Sequence, residues 1–328
     1  MRVAVLDDYH RVFGADPAIQ RLRGRAPVDV YTEKLPLERL RGYAILIALR
    51  ERTRFDAAFF EALPELELIA QTGNHAYHVD VAAATKAGVL VAMASSDLDT
   101  MGSMACSTIE LAFGLMLAVL RRIPQTDQGM RRGEWPSFAG RTLSGKKLGI
   151  LGLGRIGSEL ARLARAFGMQ VLAWGPTLTS ERAARSSATF MDLDALLEEA
   201  DIVTVQLKLS EDSRGLLNEQ RLRLIGPEGV LINTARGAIV DEKALARVLA
   251  EGALGAAGLD VFAEEPLPSD SPLRRLDNVV LTSHLGWPAD LTYSTMAQAV
   301  VAIIEAYLDG NYVGAVNPEA LQHRKGRQ

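Results

Sequence analysis

Apolar residues along this chain fall into short unbroken runs separated by amphipathic stretches. That is the pattern of strands buried on both faces, alternating with the helices that cover them. Residues 2–6, 44–48, 66–70 and 89–92 read as four strands. Helical patterns over 54–62 and 81–87 lie between them, and Gly88 is placed to stop the second. A second run of the same kind predicts strands at 148–151, 170–174, 202–205, 230–232, 256–259 and 279–281. Its helices fall at 156–167, 193–200 and 242–249, and Asp241 stands where a carboxylate can cap the last of them. Apolar helices over 104–121 and 291–308 supply the crossovers.

Two such runs predict an α/β protein with two doubly wound parallel-sheet domains separated by a cleft. The first, flavodoxin-like and substrate-binding, takes residues 1–98 plus 289–328, and a Rossmann cofactor domain takes 99–288. A length of 328 residues fits two domains.

Composition narrows the function. A hydrophobic fraction of 48% and a charged fraction of 23% are ordinary for a globular protein. A formal charge of -4 argues against a nucleic-acid partner, which calls for a basic face. The apolar stretch over 109–120 is short for a bilayer and contains Glu110, so no membrane partner is expected. At that position a buried carboxylate would need a pairing group. The N-terminal apolar run is too brief for a signal peptide, and Cys106 is the single cysteine, so a reducing cytoplasmic location is expected.

Gly152-Leu153-Gly154-Arg155-Ile156-Gly157 follows one predicted strand and opens a helix. Gly152 permits the tight turn, Gly154 lets the backbone approach a pyrophosphate, and Gly157 allows close helix–strand packing. The helix N-terminus presents N–H groups to the anion. The pattern in this strand–turn–helix setting predicts a dinucleotide site, for NAD or NADP. The acidic residue that normally follows the second strand is missing: Gly175 stands in its place. Thr177, Thr179, Ser180 and Arg182 follow and could meet a 2′-phosphate, so NADP acceptance is expected.

Three later segments put charged residues just past strand ends: Arg236 after 230–232, Asp260 and Glu265 after 256–259, and His284 after 279–281. Ligands of open α/β sheets bind beyond those ends. In these segments together with the glycine-rich turn, the chain resembles the D-isomer-specific 2-hydroxyacid dehydrogenase family. The resemblance covers nearly the whole chain and is most specific in residues 147–157, 233–245, 260–268 and 284–287.

The resemblance implies an NAD(P)-dependent oxidoreductase of small 2-hydroxy or 2-keto acids. It implies that Arg236 binds the substrate carboxylate and polarises the keto oxygen, and that His284 is the acid/base. Glu265 would fix the imidazole and favour its protonated form. Asp260 would orient the nicotinamide amide. Arg155, Ile156, Leu207, Ser213, Thr234, Ala235 and Gly286 match cofactor-lining positions. In the first domain Arg50 and the loop Gly73-Asn74-His75 would meet substrate. There the chain departs from the family pattern, with Glu51 where serine is commoner, and His75 and Tyr77 in a loop usually rich in glycine.

No carboxylate–histidine set has metal-ligand spacing, so no metal is expected. The family expectation is a homodimer. Two other readings share the fold: a formate or phosphite dehydrogenase, and a cofactor-sensing, corepressor-like scaffold. Formate enzymes pair the histidine with glutamine, against which Glu265 argues.

Overall fold

A computed structural model of the chain describes residues 1–73, 75–94 and 100–323. Asn74 and the boundary expected at 98–99 lie outside them. The chain divides into two compact units, Met1–Met104 with Pro288–Gln328, and Ala105–Trp287.

The first unit is built on β1 (Val3–Val5), β2 (Val28–Val30), β3 (Ile45–Ala48), β4 (Leu68–Gln71) and β5 (Leu90–Met93), in the order β2-β1-β3-β4-β5. Every pairing is parallel. Every residue of β3 and β4 is buried, as continuous runs such as Ile45-Leu46-Ile47 require when helices cover both faces. Five strands are present where the hydrophobic pattern predicted four. The missed one, β2, is three residues long at the sheet edge, with Asp29 at its centre. The carboxylate of Asp29 accepts bonds from Arg2 and Tyr43, which hold it below the usual carboxylate range. Gly88 ends the helix Val81–Lys86 with a φ of 73°, a conformation glycine adopts without strain.

The second unit carries β6 (Lys147–Leu151), β7 (Gln170–Trp174), β8 (Thr189–Phe190), β9 (Ile202–Val205), β10 (Val230–Asn233), β11 (Ala256–Leu259) and β12 (Val279–Leu281). They run in the order β12-β11-β10-β9-β6-β7-β8, again all parallel. One face packs Leu151, Val203, Leu231 and Leu259 against Leu196 and Val248. The other packs Leu148, Ile150 and Ile232 against Met116 and Leu160. The strand order reverses at the β6/β9 junction, the position where open sheets of this kind bind dinucleotides.

Asp241 caps the helix Glu242–Ala250 through Ala244 N at 3.0 Å, as its sequence position suggested. Glu110 differs from expectation: on the helix Thr100–Leu120 it is exposed, so its carboxylate stays in water and needs no buried partner. Among the described residues one helix, Asp290–Leu308, is long and apolar enough to cross a membrane by length and composition, and more than half of it is buried within the protein.

Candidate active site

The glycine-rich turn lies at the β6/β9 junction. Gly152 has a φ of 103°, and a Cβ there would sit 2.6 Å from the Gln206 carbonyl oxygen. Its N–H donates to Trp174 O at 2.7 Å, tying the turn to the end of β7. A Cβ at Gly157 would collide with the Gly152 carbonyl, so the helix Arg155–Ala166 reaches the strand only because residue 157 is glycine. Gly154 faces open space. Close packing at two glycines and room at the middle one are what a backbone cradle for a pyrophosphate requires. Leu207 borders the turn, with its Cδ2 3.1 Å from where a Gly152 Cβ would lie.

Neighbouring residues are arranged around that turn. Gln206 donates to the hydroxyls of Thr204 and Thr234 at 3.0 Å each. The Ser213 hydroxyl is engaged within its own loop, donating to Lys208 O and accepting from Ser210 N. Past β7, Arg182 donates to Thr177 O at 2.7 Å, and Thr179 caps the helix that carries Arg182. A Cβ at Gly175 would lie 4.0 Å from the Gly152 Cα, so this position adjoins the glycine turn and carries no acid.

The loops leaving β10, β11 and β12 continue the strand ladder before diverging. Asp260 N donates to Asn233 O at 3.0 Å, Thr282 N to Leu259 O at 2.9 Å, and His284 N to Asp260 O at 2.9 Å. Buried Asn233 staples its loop, its side chain accepting from Ala235 N and donating to Arg236 O. This fixes the backbone of Arg236, whose exposed guanidinium donates to Ala235 O at 2.6 Å. A Cβ at Gly237 would strike the Phe262 carbonyl, so the Arg236 loop lies directly on the loop bearing Glu265.

His284 Nδ1 lies 2.6 Å from Glu265 Oε2, and Glu265 Oε1 accepts from Phe262 N at 2.9 Å. His284 has a φ of 58°, uncommon for a side chain without local backbone hydrogen bonding. Asp260 holds it there. Fully buried, its carboxylate accepts from Thr282 Oγ1 at 2.6 Å, Leu285 N at 2.7 Å and Gly286 N at 2.9 Å. The Gly286 carbonyl in turn accepts from Ser107 and Thr108.

In the first unit, polar side chains gather past β1, β3 and β4. Arg50, at a φ of 59°, donates its N–H to Thr72 Oγ1 at 3.0 Å, and its Nε lies 3.6 Å from Glu51 Oε2. Glu51 Oε1 lies 2.9 Å from His75 Nε2, and the His75 ring stacks on Tyr77 at 4.6 Å. A Cβ at Gly73 would be 3.3 Å from Gln71 Nε2 and 3.8 Å from Arg50 Nη1. Beside this group Arg52 donates to Asp7 O at 2.6 Å, and His10 Nδ1 meets Tyr293 OH at 2.5 Å. Burial raises the Tyr293 phenol above its usual value against the opposing influence of Arg52.

Residues 113–286 match the family described as D-isomer specific 2-hydroxyacid dehydrogenase, NAD binding domain. A glyoxylate reductase from Korarchaeum cryptofilum is 35% identical over 300 residues, covering 89% of this chain and 88% of that one. The chain belongs to this family. A D-3-phosphoglycerate dehydrogenase from Methanocaldococcus jannaschii is 34% identical, covering 100% of this chain and 62% of its own length. The crystal structure of a phosphoglycerate oxidoreductase from Vibrio cholerae aligns with a TM-score of 0.79 at 32% identity, covering 94% and 99% of the two chains. This dehydrogenase is thus an oxidoreductase acting on the CH–OH group of 2-hydroxy acids, with an NAD-binding domain.

Within the second unit of this dehydrogenase, His284 and Glu265 are in direct contact and Arg236 shares their packed loops. Gly152, Gly154, Arg155, Ile156 and Gly157 form the turn beside Leu207 and Thr234. Among the described residues no group of three or more His, Cys, Asp or Glu side chains could hold a metal ion. The sequence assigns a substrate-binding role to Arg50 and His75 and marks Glu51 and Tyr77 as departures from the family pattern, but it points to no binding role for Glu51, Gln71, His78, Arg52, His10 or Tyr293. The available signal was position: His10, Glu51, Arg52, Gln71 and His78 lie at or just past the C-terminal ends of parallel strands.

Proposed function

We propose that this chain interconverts small 2-keto acids and D-2-hydroxy acids with a nicotinamide cofactor, using Arg236, Glu265 and His284. The observation that supports this reading most is the 2.6 Å pair of His284 Nδ1 and Glu265 Oε2 on loops packed against that of Arg236. Bound nicotinamide supplies or accepts the hydride at C2 of the substrate. With Nδ1 committed to Glu265, Nε2 of His284 is the ring nitrogen that gives a proton to the keto oxygen, and takes it back in the oxidation. Glu265 is itself fixed by Phe262 N, so the imidazole cannot rotate away. Arg236 binds the substrate carboxylate and offsets negative charge developing on the oxygen.

Asp260 is assigned to the nicotinamide amide by resemblance. Its carboxylate already holds three donors, leaving about one further acceptor position. Gly152, Gly154 and Gly157 cradle the pyrophosphate, with Arg155 and Ile156 supplying helix N–H groups. Leu207, Ser213, Thr234, Ala235 and Gly286 line the remainder. NADP is accepted because no acid occupies position 175, while Thr177 and Arg182 stand beside it. Arg50, Gly73 and His75 of the first unit bind substrate. The exposed apolar side chains of Ile123, Met130, Trp135 and Phe138 support a homodimer. The lone Cys106 fits a cytoplasmic location.

NADH and NADPH oxidation, followed by absorbance with glyoxylate, hydroxypyruvate, pyruvate and phenylpyruvate, tests the reading. Turnover of at least one of these acids is expected. Tight cofactor binding with none of them reduced would contradict it.

A further inference from the structure

Five buried side-chain polar atoms lack a hydrogen-bond partner among the described residues, and four of them belong to Gln71, His75 and His78. Such atoms are unfavourable unless something completes them, and their confinement to one short segment marks a place built for a polar group. Gln71 is fully buried and leaves Oε1 unpaired. His75 is fixed at its edge by Glu51 at 2.9 Å and on its face by Tyr77, which leaves Nδ1 unpaired. His78 leaves both ring nitrogens unpaired. Three first-unit residues at which the chain departs from the pattern it resembles, Glu51, His75 and Tyr77, thus form a line of contacts, Glu51 to His75 and His75 to Tyr77.

We propose that Glu51, Gln71, His75 and His78 select the substituent on C3 of the substrate, favouring an uncharged hydroxyl and rejecting a phosphate or second carboxylate. The inference rests on the proposed function, in which this segment meets the substrate through Gly73 and His75.

Charge decides the class. Glu51 places one carboxylate oxygen on His75 and the other 3.6 Å from Arg50, so that guanidinium is compensated at close range. A phosphate arriving here would meet the Glu51 carboxylate. Burial holds the His78 imidazole below its usual value against the raising influence of Glu51, which favours the neutral ring. A neutral imidazole offers one N–H and one lone pair, and Gln71 Oε1 offers only lone pairs. Mixed donors and acceptors, with the Arg50 charge answered by Glu51, suit a hydroxyl, which both gives and accepts. A site built to bond a hydroxyl rejects the analogue lacking it more strongly than an apolar pocket rejects a hydroxyl.

The test is kcat/KM for four 2-keto acids with the intact protein and two variants, Glu51→Ser and His78→Phe. Glyoxylate has no C3, pyruvate carries a methyl group, hydroxypyruvate a hydroxyl, and phosphohydroxypyruvate a phosphate. The wild type is expected to prefer hydroxypyruvate to pyruvate by about tenfold or more, with the phosphorylated acid poorest. Glu51→Ser should raise the phosphorylated acid about tenfold relative to hydroxypyruvate, since it removes the opposing charge. His78→Phe should lower the hydroxypyruvate-to-pyruvate ratio without helping the phosphate. Equal use of hydroxyl and phosphate by the wild type, or ratios unmoved in both variants while glyoxylate is still reduced, would overturn the inference and leave the proposed function standing. Failure to reduce glyoxylate and all the others would overturn both.

Discussion

Gly237 and Phe262 run backbone against backbone, so close that a methyl group at 237 would collide with the Phe262 carbonyl. The contact joins the loop after β10, which carries Arg236, to the loop after β11, which carries Glu265. Glycine is required here for lack of space and not for an unusual φ, since 237 is not among the left-handed positions. Gly237→Ala should therefore push the loops apart. We expect a stability loss of about 1–3 kcal/mol, the usual cost of overpacking, and a fall in kcat of about 100-fold from misplaced groups. Thermal unfolding and steady-state kinetics measure the two effects. An alanine variant with wild-type turnover would show that the loop contact does not position the chemistry.

His284→Ala removes the proton donor but leaves the glycine turn untouched. A fall in kcat of about 100- to 10,000-fold is expected, with cofactor affinity nearly unchanged by fluorescence titration. Glu265→Gln keeps an acceptor for Phe262 N and a hydrogen-bonding partner for His284 but removes the charge, so its loss should be smaller. If the His284 variant turns over normally, the acid/base is another residue.

The parts of this protein legible in its sequence are those set by local backbone geometry or by burial on both faces. Residues 202–205 read as a strand and form β9, because an unbroken apolar run has no other stable place in such a fold. The glycine turn was equally visible, since its spacing is dictated by steric demands of neighbours a few residues away. Strand β2 was not, because three residues centred on Asp29 carry too little apolar signal, and the partners that hold that aspartate, Arg2 and Tyr43, lie elsewhere in the chain. For the same reason the meeting of His10 with Tyr293 in the first unit was hidden. His10 and Tyr293 are 283 positions apart, and no pattern along the chain pairs them.

Cofactor choice can be moved at Gly175. A Cβ there would have ordinary room, with Leu178 Cβ at 3.5 Å and Gly152 Cα at 4.0 Å, so an aspartate fits without displacing the turn. Its charge would attract the ribose hydroxyls of NAD and repel a 2′-phosphate. Gly175→Asp is expected to lower the NADPH-to-NADH ratio of kcat/KM about tenfold or more. A ratio that stays put would mean that discrimination lies elsewhere on the β7 loop.

Acid should weaken the fold through His78. Burial holds its imidazole below the usual value, so between that value and the lower folded one the unfolded chain binds a proton that the folded chain refuses. The stability associated with the neutral ring is therefore complete above about pH 6.5 and declines as pH falls below it. Replacing His78 with Gln removes this titration. Urea denaturation at pH 7.5 and 5.5, with both values chosen to span about one unit either side of free histidine, should show a smaller acid loss in His78→Gln than in the wild type. Identical losses would mean that other groups account for the acid sensitivity.

Asp260 is the residue at which two roles can be separated. Its carboxylate holds Thr282, Leu285 N and Gly286 N, and its own carbonyl holds His284 N. Asp260→Asn keeps the carbonyl contact and one acceptor oxygen but turns an amide NH2 toward a donor. Buried and unmatched, that group should cost about 1–3 kcal/mol, which unfolding experiments can read. The loop would then no longer be held at the left-handed φ of His284, and kcat should fall. If Asp260 acts chiefly as this clamp, the variant loses stability and turnover while its affinity for reduced nicotinamide cofactor changes little. If its remaining acceptor position serves the nicotinamide amide, cofactor affinity falls together with kcat. Wild-type stability in Asp260→Asn would rule out the clamp, because a fully buried carboxylate with three donors cannot be replaced at no cost.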